Sequence, residues 1–131
     1  AFFPLDDELD GWPLSEVEKK FGHKFWFTTE YHGSFEYYGD EEFSFAGDDD
    51  FWVYIDGDLV VNLGGLHNPQ EQSVILGALT LTRTGGPLQT GEQYNIDIFH
   101  AERHTDNSNF CVQTNIDMYD LVVRDPGMMV R

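Results

Sequence analysis

The sequence predicts an all-β domain, a sandwich or barrel of about eight or nine short antiparallel strands. Three observations carry that reading. From Lys24 onward, apolar residues recur at every second position in short runs bounded by Gly, Asn, Asp or Pro. Aromatic residues make up 15% of the chain and Gly contributes 13 residues, a composition that favours pleated strands and tight turns. Phe51 to Ile55 and Leu59 to Leu63 flank Asp56-Gly57-Asp58, and Asp-Gly between two apolar runs is the strongest short hairpin signal.

The elements follow in order. Ala1 to Leu14 is irregular and acidic, with Phe2, Phe3 and Trp12 expected to pin it across the domain. Its Asp6, Glu8, Asp10 and Gly11 superficially match a helix-loop-helix calcium loop, but Val17 stands where that loop needs Glu. Ser15 to Phe21 is expected to form a short helix, capped by Ser15 with Glu18 three residues on. Strands are expected at Lys24 to Glu30 and, after a His-Gly turn, at Ser34 to Tyr38. Glu42 to Ala46 and the two arms of the Asp-Gly hairpin follow. Gly64 to Glu71 reads as a loop, Ala78 to Arg83 as a strand, and Thr84 to Gly91 as a turn. Gln93 to Phe99 alternates cleanly. Ala101 to Asn109 is a polar loop, and Phe110 to Met118 and Leu121 to Arg124 close the chain as strands.

At 131 residues the chain is one domain, 1–131, with a core of its own. A formal charge of −17 repels phosphate backbones and anionic lipid, which makes nucleic acid and acidic membrane poor partners, and no nucleic-acid partner is expected. No apolar run approaches the ~18 residues of a membrane span, so no membrane insertion is expected. The balance suits a secreted domain in cation-rich medium. The first residue is Ala, not Met, and the expectation is a domain excised from a larger secreted or surface protein. The single cysteine, Cys111, can form no disulfide within the chain; its place in an alternating run predicts a buried thiol.

Asp48-Asp49-Asp50 stands out between two apolar strands. Three adjacent carboxylates repel one another and are costly to desolvate. A folded chain keeps such a run solvated, paired with bases, or wrapped around a cation. Only seven Lys and Arg are available, so bases are scarce. A hard cation held by carboxylate and carbonyl oxygens, usually calcium, and a solvated acidic turn both fit these residues.

The blocks GDDDFWVYIDGDLVVNLGGLH and YNIDIFHAERHTDNSNFCVQTNI closely resemble the fibro-slime domain, a branch of the protective-antigen-type β-sandwich superfamily that includes flocculin and adhesin lectins. The resemblance covers Gly11 to Asp117. It implies an antiparallel β-sandwich of about 8–10 short strands with calcium-binding loops at one end. It further implies a calcium-dependent carbohydrate-binding module on a secreted or cell-surface protein, with Ca2+ as cofactor and a cell-surface glycan or polysaccharide as partner. In the lectin branch, consecutive aspartates joined by a cis peptide hold calcium, and sugar hydroxyls complete the metal shell. By this resemblance the pair falls on Asp48-Asp49, with Asp50 where relatives often carry Gly. The second calcium loop falls on Ala101 to Asn109. Asn62 departs from the Asp expected of the family.

Within that second loop, Asn107 and Asn109 suit calcium best by chemistry, because amide oxygens are hard ligands. Glu102 and His104, with His67 in the preceding loop, are candidate ligand contacts alongside Asp48, Asp49 and Asn107. Glu102 and Arg103 read equally as an internal ion-pair set for Asp50 or another acid. Asp56 and Asp58 are explained as turn formers. His67, His100 and His104 raise zinc, yet no helical His spacing supports it. Trp52 and Tyr54 alternate with Phe51, Val53 and Ile55, and a core position is expected for them. No nucleophile, base and acid set is apparent, so the chain is not read as an enzyme. The competing class is a structural or protein-binding adhesion module in which calcium only stiffens the loops, with a protein partner reached through the parent chain.

Overall fold

The computed structural model describes residues 3–6, 21–65, 68–103 and 108–128, with the backbone alone from residue 118. Its strands are β1 (Phe27–Glu36), β2 (Glu42–Asp48), β3 (Asp50–Ile55), β4 (Asp58–Leu63) and β5 (Gln70–Ile75), then β6 (Thr80–Leu81), β7 (Gly86–Pro87), β8 (Gln93–Ala101), β9 (Asn109–Thr114) and β10 (Met118–Met128). Among the described residues a 3-10 turn covers Leu76–Ala78. Five strands form one antiparallel sheet in the order β10-β1-β8-β3-β4, and three form a second in the order β5-β2-β9. β6 and β7 make a small separate arm.

The two sheets face each other over an aromatic core. Alternation sends Phe51, Val53 and Ile55 of β3 and Tyr94, Ile96 and Ile98 of β8 inward, where they meet Phe43 and Phe45 of β2. Rings interlock across the gap: Phe45 lies 5.2 Å from Phe51, and Phe35 stands edge-on to Phe43 at 6.3 Å. Truncating a fully buried ring such as Phe45 to Ala costs about 3–5 kcal/mol.

Several expectations need correction. His32-Gly33 is no turn: β1 runs straight through it, hydrogen-bonded to β8 on one side and β10 on the other. Its irregularity is a register shift against β10 between His32 and Ser34, a use of Gly in strands that sequence alone confuses with a turn. The expected loop and strand between Gly64 and Arg83 are displaced. Gln70–Ile75 is a polar edge strand, and only Thr80–Leu81 of the later run is extended. Cys111 is exposed, not buried. Phe110 and Val112 pack on the core, and the alternation of edge strand β9 turns the residue between them outward. Of the expected aromatic pins, Phe3 stacks on His23 at 3.8 Å and meets Phe25 edge-on. Phe2, Trp12 and, apart from Phe21, the expected helix lie outside the described residues.

Candidate cation and ligand site

β2 belongs to the three-stranded sheet and β3 to the five-stranded one, so the chain crosses between sheets at Asp48-Asp49-Asp50. The connection from β8 to β9 makes the reverse crossing at the same end. Register fixes this neighbourhood: Asp48 pairs with Asn109 of β9, and Asp50 pairs with Ala101 of β8. The β4–β5 connection also passes between the sheets here, through Gly64 and Gly65. Residues far apart in sequence are thus gathered at one corner by strand pairing alone.

All three aspartates are nearly inaccessible, at 5%, 2% and 4% exposure. The Asp48-Asp49 bond is cis. Asp48 accepts from both donors of Asn109: the backbone N–H at Oδ1, and Nδ2 at Oδ2, 3.0 Å away. Asp49 Oδ2 accepts from the backbone N–H of Arg103 at 3.1 Å. Asp50 is occupied differently. Its Oδ1 takes the Gly65 N–H at 2.6 Å, and its Oδ2 pairs with Arg103 Nε. Among the described residues no Lys, Arg or His forms an ion pair with Asp48 or Asp49. Backbone donors soften that burial, but a buried carboxylate without a counter-charge still costs several kcal/mol.

His100 lies beneath the corner. It follows the inward register of β8, packs between Phe27 and Phe110, and donates from Nε2 to the Asp48 carbonyl at 3.0 Å. Burial pushes its pKa below the ordinary imidazole value, although the Asp48 hydrogen bond and the three carboxylates pull the other way. A ring with Nε2 committed to a carbonyl is a positioning group; the sequence alone suggests His100 only as a zinc candidate. The signal was available: Tyr94, Ile96, Ile98 and His100 share one strand face.

The expected site residues are distributed as follows. Asp48, Asp49 and Asn109 come together, but Asn109 reaches Asp48 through its amide nitrogen. Glu102 is fully buried, its backbone N–H bonded to the Phe27 carbonyl at 2.9 Å. Arg103 is the expected partner of Asp50. His67, His104 and Asn107 lie outside the described residues. Asn62 accepts the Gly64 N–H at 3.2 Å. Asp56 and Asp58 do more than turn the chain. Asp56 pairs with Arg83 and takes the Asn95 N–H at 2.9 Å, while Asp58 accepts from Thr82, which together tie the hairpin tip to the β6–β7 arm. Trp52 and Tyr54 are not in the core. They are half-buried on the outer face of the five-stranded sheet, because Phe51, Val53 and Ile55 hold the inner positions.

Calcium fits the chemistry of this corner. Asp48 and Asp49 have no basic ion-pair partner among the described residues, and carboxylate oxygens match a hard cation, while the neighbouring His100 has Nε2 committed to the Asp48 carbonyl. Among the described residues no group of three or more His, Cys, Asp or Glu is arranged to hold a metal. A cation here would therefore draw on amide or backbone oxygens besides Asp48 and Asp49.

The fold is a two-sheet antiparallel β-sandwich with an acidic sheet-to-sheet corner. The PA14 domain family model matches residues 14–123, and the chain belongs to that family. PA14 domains are often carbohydrate-binding or adhesion modules, mostly non-catalytic, and typically extracellular or at the cell surface. Relatives from Dictyostelium discoideum include protein psiJ, 41% identical over 128 residues covering 90% of this chain and 17% of the relative. Protein psiC is 41% identical over 120 residues, covering 90% and 22% respectively. Protein psiN is 42% identical over 126 residues, covering 88% and 16%. The chain thus spans less than a quarter of the length of these relatives. No solved structure matches it significantly. Among the described residues no helix is long and apolar enough to cross a membrane.

Proposed function

We propose that this is a calcium-dependent carbohydrate-binding module of the fibro-slime branch. In this reading Asp48 and Asp49 hold Ca2+ at the sheet-to-sheet corner, and vicinal hydroxyls of a glycan complete its shell. The observation that carries the proposal is the burial of two carboxylates that lack a basic partner among the described residues. Backbone N–H groups and the Asn109 amide orient those carboxylates. Asn107 is the further oxygen ligand, and His67 and His104 are the sugar contacts. Glu102, beneath the surface, supports the loop. The domain covers residues 1–131 and works as part of a longer secreted or surface protein.

A glycan-binding assay in calcium and in EDTA tests this. Binding that requires calcium, is competed by free monosaccharides with vicinal hydroxyls, and is lost in Asp49→Asn supports it. Binding unaffected by EDTA contradicts it. The Asp50–Arg103 pair and the Gly65 N–H already brace three chain segments, which favours a second reading. There the ion only stiffens the end of the sandwich for a protein partner, and calcium stabilises the fold without creating sugar affinity.

A further inference from the structure

The outer face of the five-stranded sheet carries a groove that the calcium corner does not use. Its upper part is a cavity of about 590 Å³ walled by Trp52, Tyr54 and Phe99. Tyr54 and Phe99 meet edge-on at 5.8 Å, on neighbouring strands β3 and β8. The acids in this wall are Glu30 and Asp97. His32 bridges them, with Nδ1 2.7 Å from Asp97 Oδ1 and Nε2 3.2 Å from Glu30 Oε2. Among the described side chains one imidazolium at most faces two carboxylates, so that part of the lining stays negative in either state of His32; Arg124 of β10 pairs with Glu30 in register. Aromatic faces beside carboxylates attract organic cations through the ring quadrupole and through direct Coulomb attraction.

The cavity continues past Gly57 and Asp97 into a second one of about 800 Å³. There the lining is Gln93, Asn95, Ser34, Asp56 and Arg83, a row of hydrogen-bonding groups without an apolar side-chain pocket. A basic peptide would find nothing there for apolar side chains, whereas a polyhydroxylated chain would find partners along its length. Residues 7–20 are a poor occupant by charge, since Asp7, Glu8, Asp10, Glu16 and Glu18 outnumber Lys19 and Lys20.

We infer that this groove is a metal-independent subsite for a protonated amino sugar. The ammonium sits against Trp52, Tyr54 and Phe99 near Glu30 and Asp97, and the next sugar units run over the amide-lined part. The lining meets the Asp48-Asp49 corner only at His100 and Ala101, and binding there is expected without calcium.

The test is calorimetric titration of the intact chain in EDTA with a glucosamine tetramer, with tryptophan fluorescence as a second readout. The N-acetylated tetramer and a lysine tetrapeptide are the comparators. Saturable binding by the amine is expected, weaker by about tenfold or more for both comparators. Affinity falls as salt is raised. Trp52→Ala and the double variant Glu30→Gln/Asp97→Asn each lose about tenfold or more, and Trp52→Phe retains most of the affinity. The double variant changes partly exposed outer-face groups, so it reports even if Trp52→Ala fails to fold. No binding by the intact chain overturns the inference, including the case where residues 7–20 fill the groove. Equal binding of the acetylated tetramer removes the charge argument, and equal binding of the lysine peptide removes the sugar; either result overturns it.

Discussion

Asp48 and Asn109 face each other across β2 and β9, and Asn109 supplies two donors, N–H and Nδ2, to the two carboxylate oxygens of Asp48. One residue therefore fixes the orientation of a carboxylate 61 positions away. In the proposed calcium site, that contact makes Asn109 the outer partner of the ligand Asp48. Partners of this kind commonly alter metal affinity 10–100-fold when removed.

Asn109→Ala keeps the backbone donor and deletes the side-chain one. Calcium affinity is expected to fall at least tenfold. Stability in EDTA is expected to fall by only about 1 kcal/mol. Calcium calorimetry and a urea titration separate the two quantities.

Arg103→Ala leaves Asp50 nearly buried with the Gly65 N–H as its remaining partner. Arg103 is 43% exposed, so solvent screens the pair and the loss is expected at about 1 kcal/mol rather than the full cost of a buried pair. Arg103→Ala combined with Asp50→Asn should recover part of that loss, because the unpaired charge goes too. A double-mutant cycle by urea unfolding measures the coupling.

Glu41, away from the corner, is a test of the fold alone. Its buried carboxylate accepts N–H groups from Tyr38, Gly39 at 2.8 Å and Asp40 at 3.1 Å, closing the turn before β2. Glu41→Ala strands these donors and is expected to cost about 1–3 kcal/mol with calcium affinity unchanged. Thermal melts and calcium calorimetry on the same variant check both halves.

Asp58 gives a pH dependence with a definite sign. Hydrogen bonds from the Thr82 side chain and backbone lower its pKa below the ordinary carboxylate value. The unfolded chain then takes up the proton first as pH falls. Stability from this group is complete above the unfolded carboxyl pKa and is lost as pH drops through the folded one. Asp58→Asn should flatten that part of the acid limb in a melt-versus-pH series. An unchanged limb would show that Thr82 does not hold Asp58 in solution.

Much of the sandwich was legible from residue spacing. The Asp-Gly hairpin forms as the sequence predicts, with positive φ at both Asp56 and Gly57. Gln93 to Phe99 lies within β8 because its alternation is unbroken. What spacing cannot show is which of two alternating sets turns inward: Trp52 and Tyr54 lost the core to Phe51, Val53 and Ile55, and Cys111 lost it to Phe110 and Val112. Polar edge strand β5 carried too little apolar pattern to be seen. At the corner, the Asp48-Asp49 pair was visible as an unexplained charge run. The Asn109 and His100 contacts were not, because they depend on long-range register that only strand pairing fixes.

The most direct measurement is a pair of thermal melts, in calcium and in EDTA, on the wild-type chain and on Asp48→Asn/Asp49→Asn. At a concentration about 100 times its dissociation constant, calcium adds ~2.7 kcal/mol to the folded state. For a domain of this size that raises Tm by roughly 10 °C. That shift is expected in the wild type and is expected to be absent in the double variant. An identical melt of the wild type with and without calcium, or an equal shift in both proteins, would contradict calcium binding at Asp48-Asp49.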